Sequence, residues 1–239
     1  MSTGPLPHKH RGWLAAVGAL IFVVPAAAAP AALHPGASAP SVRVVVVGDS
    51  LSTGHGTSPL QAWPALIRED PLLSGYQVLN AAENGSGYVT PGDVDGTFGT
   101  QVHEFVTPDT GVVVFFGSEN DLGQAPRAVA GAASVAIAEA HALAPAAKII
   151  VVGPPSYSPD PDPGLLDISE QLKTAALWTG AEFVDPIAEG WIRGDVDDLI
   201  GPDGDHPTVA GQHYLLEHIA PIIEQSSPEA LSGPGAAAG

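Results

Sequence analysis

Five valines in six positions, Val42-Arg43-Val44-Val45-Val46-Val47, stop abruptly at Gly48-Asp49-Ser50. So dense a β-branched run suits a central strand of a parallel sheet, buried on both faces. The small and polar residues that end it suit a tight turn. A serine at the carboxyl end of such a strand sits where open α/β sheets place their ligands. Equally, Asp49 or Ser50 could do no more than cap a following helix. The rest of the chain decides between these readings.

Strand-like and helix-like patterns alternate after this point. Helices are expected over 61–70, with Pro64 tolerable in a first turn, over 126–144 up to Pro145, over 165–179 before Gly180, and over 208–225. Further strands are expected over 76–79, 111–116, 148–152 and 181–184, and the stretch from Ala81 to about Gly99 reads as irregular. About five alternations imply an α/β fold, a parallel sheet of about five strands with helices on both faces. Each strand ends in glycine or polar residues, so those loops gather along one edge of the sheet.

Residues 41–226 make up this domain. Ahead of it, His8-Lys9-His10-Arg11 leads into an uninterrupted apolar run, 13–24, and then Pro25 and four alanines. That pattern fits a signal peptide over 1–29, followed by an Ala/Pro-rich tether over 30–40. Twelve apolar residues are short for a membrane span, so a secreted location is expected, extracellular or associated with the cell envelope, with an uncleaved anchor as the alternative. Residues 227–239, rich in Pro, Gly and Ala, read as a disordered tail.

Charge narrows the partners. The 239 residues carry 8 Lys and Arg against 26 Asp and Glu, a net charge of −18. Loss of residues 1–29 removes Lys9 and Arg11. Such a surface repels phosphate backbones and anionic headgroups, which argues against nucleic acid and against stable membrane insertion. With no cysteine, thiolate metal sites are excluded and the core alone must hold the fold. Asp195, Asp197, Asp198, Asp203 and Asp205 form an acidic run, but its spacing does not match a calcium loop. No metal and no cofactor is expected.

Four loops on the shared edge supply the chemistry of acyl transfer. They are Gly48-Asp49-Ser50-Leu51, Asn84-Gly85, Gly117-Ser118-Glu119-Asn120-Asp121 and Pro202-Asp203-Gly204-Asp205-His206-Pro207. A serine hydroxyl is a weak nucleophile until a base takes its proton, and imidazoles ordinarily titrate near neutrality. Asp203, three residues before His206, could hold the ring in one tautomer. Asp205 is the alternative, though one residue of separation leaves little reach. The Ser50 and Gly85 backbone N–H groups and the Asn120 amide could hold a developing oxyanion, each such donor being worth about 3–4 kcal/mol of barrier.

These four blocks, in this order, resemble the SGNH hydrolases, the GDSL-type esterases and lipases. The resemblance runs from about Val42 to His218. It implies a flavodoxin-like three-layer α/β/α domain, a serine carboxylic-ester hydrolase, catalytic Ser50, Asp203 and His206, and an oxyanion hole of Ser50, Gly85 and Asn120. One departure is the extra residue in the third block, which leaves the role of its glycine open. Glu119 there is expected to face solvent or Arg127.

The expected activity is hydrolysis of small-molecule or carbohydrate esters through an acyl-enzyme. Short acyl groups are favoured, O-acetyl groups on carbohydrate among them, because short loops leave little material for a lid. Rival readings keep the site as a transacylase or lipase, or make the domain a silent polysaccharide binder. Trp63, Tyr88, Tyr157 and Trp191 lie near the edge loops and could line a pocket or simply pack in the core. His55, in the nucleophile loop, is the histidine other than His206 with most claim to a role.

Overall fold

The computed structural model describes residues 41–193 and 196–226. The signal-peptide, tether and tail segments lie outside the described residues, as does Asp195 of the acidic run. The valine run is strand β1 (Val42–Gly48). It pairs in parallel with β2 (Tyr76–Asn80) on one side and β3 (Thr110–Phe116) on the other, and β4 (Lys148–Val152) and β5 (Glu182–Val184) extend the sheet. The strand order is β2-β1-β3-β4-β5, the flavodoxin-like order, in which ligands bind at the switch point between β1 and β3.

Alternation along β1 divides the core. Val44 and Val46 face Trp63, Leu215 and Ile219, whereas Val45 and Val47 face Phe98, Ile137 and Leu172. Helices α2 (Trp63–Leu66) and α8 (Val209–Gln225) cover the first face. The second is covered by α3 (Phe98–Phe105), α4 (Pro126–Leu143) and α5 (Pro163–Thr179). Every valine of β1 is buried, as a central strand of a three-layer domain requires. The remaining helices are single turns, α1 (Ser50–Thr53), α6 (Pro186–Glu189) and α7 (Val196–Leu199). No helix among the described residues is long and apolar enough to cross a membrane.

Two expectations need correction. The helix over 61–70 is only one α-turn, followed by 3₁₀ turns over Ile67–Glu69 and Pro71–Leu73. Pro71 forces Asp70 into an extended conformation, ψ 124°, and this ends the helix. Conversely, α3 starts inside the stretch read as irregular. Its capping box joins Thr97 and Thr100, the Thr97 N–H donating to Thr100 Oγ1 at 2.7 Å. Threonine stands there in place of the usual Glu or Gln, which hid the signal.

Candidate active site

The turn after β1 is built from the core outward. Asp49 is buried and caps α1, with Oδ1 accepting from the Leu51 N–H at 3.0 Å. Its Oδ2 accepts from the Ser118 N–H at 3.1 Å, linking the loops after β1 and β3. Burial pushes the Asp49 carboxyl up to about 7, against the pull of those two donors. Ser50 follows at the first position of α1, half-buried.

Two glutamines bracket this turn, and sequence reasoning missed both. Gln101 of α3 accepts from the Gly48 N–H at 2.9 Å and donates to the Gly48 carbonyl at 3.0 Å and to Ser86 Oγ at 3.0 Å. From the opposite face, Gln212 of α8 accepts from the Trp63 N–H at 2.8 Å and donates to the Leu51 carbonyl at 3.3 Å. The Trp63 indole N–H completes this side, donating to Ser52 Oγ at 3.1 Å. Each glutamine interrupts an otherwise apolar helix stripe, which is the signal that could have exposed it.

The second block is tied to the first and third. Thr53 Oγ1 donates to Asn84 Oδ1 at 2.5 Å, and Ser86 Oγ donates to the Gly48 carbonyl at 2.9 Å. Asn120 Nδ2 donates to the Ser86 carbonyl at 2.9 Å, which leaves its second N–H for other use. Asp121 staples the loops, accepting from the N–H groups of Tyr88, Val89 and Thr90 and from Ser118 Oγ, at 2.7–3.1 Å. The geometry also resolves the extra residue of the third block. Gly117 and Ser118 are both left-handed, φ 121° and 90°. A Cβ on Gly117 would stand 2.0 Å from Asp49 Oδ2, so only glycine fits there.

The fourth block brings Asp203 and His206 together. Asp203 Oδ2 is 3.0 Å from His206 Nδ1, and Oδ1 accepts from the backbone N–H groups of His206 and Asp205 at 3.1 Å. Those two backbone donors, and then the imidazole, hold its carboxyl well below the usual range. Asp205 is not clear of the ring, as its Oδ2 lies 3.7 Å from Nε2. The Ser50 hydroxyl is not hydrogen-bonded to His206 in this structure. Instead the imidazole meets the loop after Ser50 through His55, with ring centroids 4.2 Å apart.

Glu119 departs from expectation. Rather than pairing with Arg127, its carboxyl is partly buried and feels Asp205, Asp49 and His206. Burial first, and then the two aspartates, push it up to about 7. Turning the preceding residue Ser118 left-handed is what redirects the loop. Trp63, Tyr88 and Trp191 prove to be core, whereas Tyr157 carries a buried hydroxyl with no partner within electrostatic reach of Glu119. Among the described residues no three His, Asp or Glu side chains converge to hold a metal ion.

A parallel 2-1-3-4-5 sheet thus carries a serine, an Asp–His pair and an asparagine on the loops at its carboxyl edge, and the sequence has no Gly-x-Ser-x-Gly elbow. Residues 46–214 match the GDSL-like lipase/acylhydrolase family. A GDSL lipase of Mycobacterium tuberculosis is 38% identical over 187 residues, covering 75% of this chain and 80% of the relative. Esterase TesA of Pseudomonas aeruginosa is 28% identical over 186 residues, 76% of this chain and 87% of the relative. Among solved structures, TesA superposes with a TM-score of 0.64 at 26% identity, covering 77% of this chain and 98% of that one. An aryl esterase of Mycobacterium smegmatis gives 0.61 at 18%, covering 78% and 100%. The chain belongs to the GDSL-like lipase/acylhydrolase family and is a serine carboxylic-ester hydrolase.

Proposed function

We propose that the protein is a secreted serine esterase that removes short acyl groups, O-acetyl groups on carbohydrate among them, by a two-step acyl-enzyme route. Ser50 attacks the ester carbonyl while His206 Nε2 takes its proton, and Asp203 on Nδ1 fixes the tautomer. The Ser50 and Gly85 N–H groups and the free Asn120 N–H receive the oxyanion. His206 then returns the proton to the leaving alcohol and activates water for deacylation. The observation that carries this reading is the Asp203–His206 pair packed against the nucleophile loop at the β1/β3 switch point.

The preference for short acyl groups rests on the loops at this edge. The longest, 81–97, is fastened down rather than free to act as a lid. Glu83 Oε1 accepts from the Val94 and Gly96 N–H groups at 2.6 and 3.2 Å, and Asp121 holds residues 88–90. Purified enzyme should hydrolyse p-nitrophenyl acetate and butyrate about tenfold or more faster than the palmitate ester, in kcat/KM. Ser50→Ala should lose about 10⁴-fold or more on all three with an unchanged melting temperature. Wild-type turnover by that variant would refute the nucleophile, and a preference for palmitate would refute the chain length.

Secretion rests on the basic and apolar pattern of residues 1–29. Expressed in a Gram-positive host, the protein should accumulate outside the cell with its amino terminus near residue 30. Retention of residue 1 on the exported protein would replace a secreted product with an anchored one.

A further inference from the structure

His206 lies among carboxylates. Asp203 holds Nδ1, Asp205 Oδ2 is 3.7 Å from Nε2, and Asp49 and Glu119 both act on the ring electrostatically. Asp203 and Asp205 both face the ring, and something must hold the base against Asp203.

His55 is placed to do this. Its ring is tilted 46° against that of His206 with centroids 4.2 Å apart. The loop that carries it is pressed onto the base, since a Cβ on Gly56 would come within 3.2 Å of His206 Cβ. The same loop is anchored in the site: the His55 N–H donates to Thr53 Oγ1 at 3.2 Å, and that hydroxyl donates to Asn84 Oδ1 beside Gly85. The His55 side is exposed, whereas the His206 side chain is only 15% exposed. Other described histidines have different surroundings: His103 pairs with Glu139, and His218 packs between Trp191 and Tyr214.

We propose that His55 is a positioning residue for the catalytic base, packing on the His206 ring to keep it on Asp203. This rests on the reading of His206 as that base.

The test isolates the ring contact. His55→Ala removes it, and should lower kcat about 5- to 10-fold with KM nearly unchanged. His55→Phe keeps a ring against His206, so kcat should stay within about twofold of wild type. Because His55 is exposed, thermal melting should be unchanged in both.

Wild-type kcat in the alanine variant would overturn the proposal. So would equal losses in the alanine and phenylalanine variants with KM raised in both, which would make His55 a substrate contact. His206→Ala is the companion control. If it retained wild-type activity the reading of the base itself would fail, whereas an inactive His206→Ala beside a normal His55→Ala would overturn only the role of His55.

Discussion

The two halves of the site are held in opposite ways. The Ser50 turn is fixed from the core: Asp49, Ser52, Gln101 and Gln212 are all buried, and their bonds reach across 53, 149 and 161 residues of chain. The proposed base, His206, sits on a local turn. Asp203 binds His206 and Asp205 within three residues, and the loop closes on itself through Gly201, whose N–H donates to the His206 carbonyl at 2.7 Å. One side is rigid because its polar groups have nowhere else to bond, so any loss leaves buried backbone unsatisfied. The other is solvated and replaceable in stability, and it carries the chemistry of the proposed mechanism. Stability and catalysis should therefore separate cleanly between the two halves.

Asp203→Asn gives the largest contrast. It leaves the turn intact but offers the wrong tautomer to the base, so kcat should fall about 10³- to 10⁴-fold while the melting temperature holds. Asp205→Asn should change kcat by less than about threefold. Steady-state kinetics on p-nitrophenyl acetate compare them, and the reverse ranking would make Asp205 the orienting acid. On the core side the order inverts. Gln101→Ala or Gln212→Ala should cost about 2–3 kcal/mol by leaving buried partners unpaired, a fall in melting temperature of roughly 4–12 °C. Scanning calorimetry reads this, and a loss as small as that of Asp203→Asn would dissolve the comparison.

Glu119 supplies a smaller effect, because it feels the charges of both halves. Its carboxyl is pushed up to about 7, so it is neutral below that pH and charged above it. Above pH 7 the charge beside the oxyanion loop should weaken turnover. Glu119→Gln should remove that alkaline loss, a gain of about two- to fivefold at pH 8.5 and little change at pH 5.5. Stability follows the same sign. Asp49 and Glu119 hold protons more tightly folded than unfolded, so the stability they contribute is present at low pH. It is lost as pH rises from the ordinary carboxylate range through about 7. Asp203 acts in the opposite sense, but its window lies below the ordinary aspartate range. Melting temperatures at pH 5 and pH 8 should therefore differ less in Glu119→Gln than in wild type.

Much of this was legible in the residues. The valine run named the central strand because five β-branched residues in six positions fit only a strand covered on both faces. Gly48-Asp49-Ser50, Asn84-Gly85, Asn120 and Asp203-x-x-His206 could be aligned on one edge because parallel strands all end there. Local pattern failed where proline or threonine altered a helix boundary, at Asp70-Pro71 and at Thr97. It failed also for Glu119, whose direction depends on the left-handed Ser118 before it.

The sequence by itself determined the sheet, its parallel sense and which residue types meet at its carboxyl edge, since period and punctuation are local properties. Only the tertiary structure decided what surrounds them: the two glutamines that clamp the nucleophile turn, the Asp121 staple, Glu119 turned inward and His55 lying on His206. A polar residue in an apolar stripe shows that it needs a partner. Which partner it finds depends on helices and loops arriving from the far end of the chain.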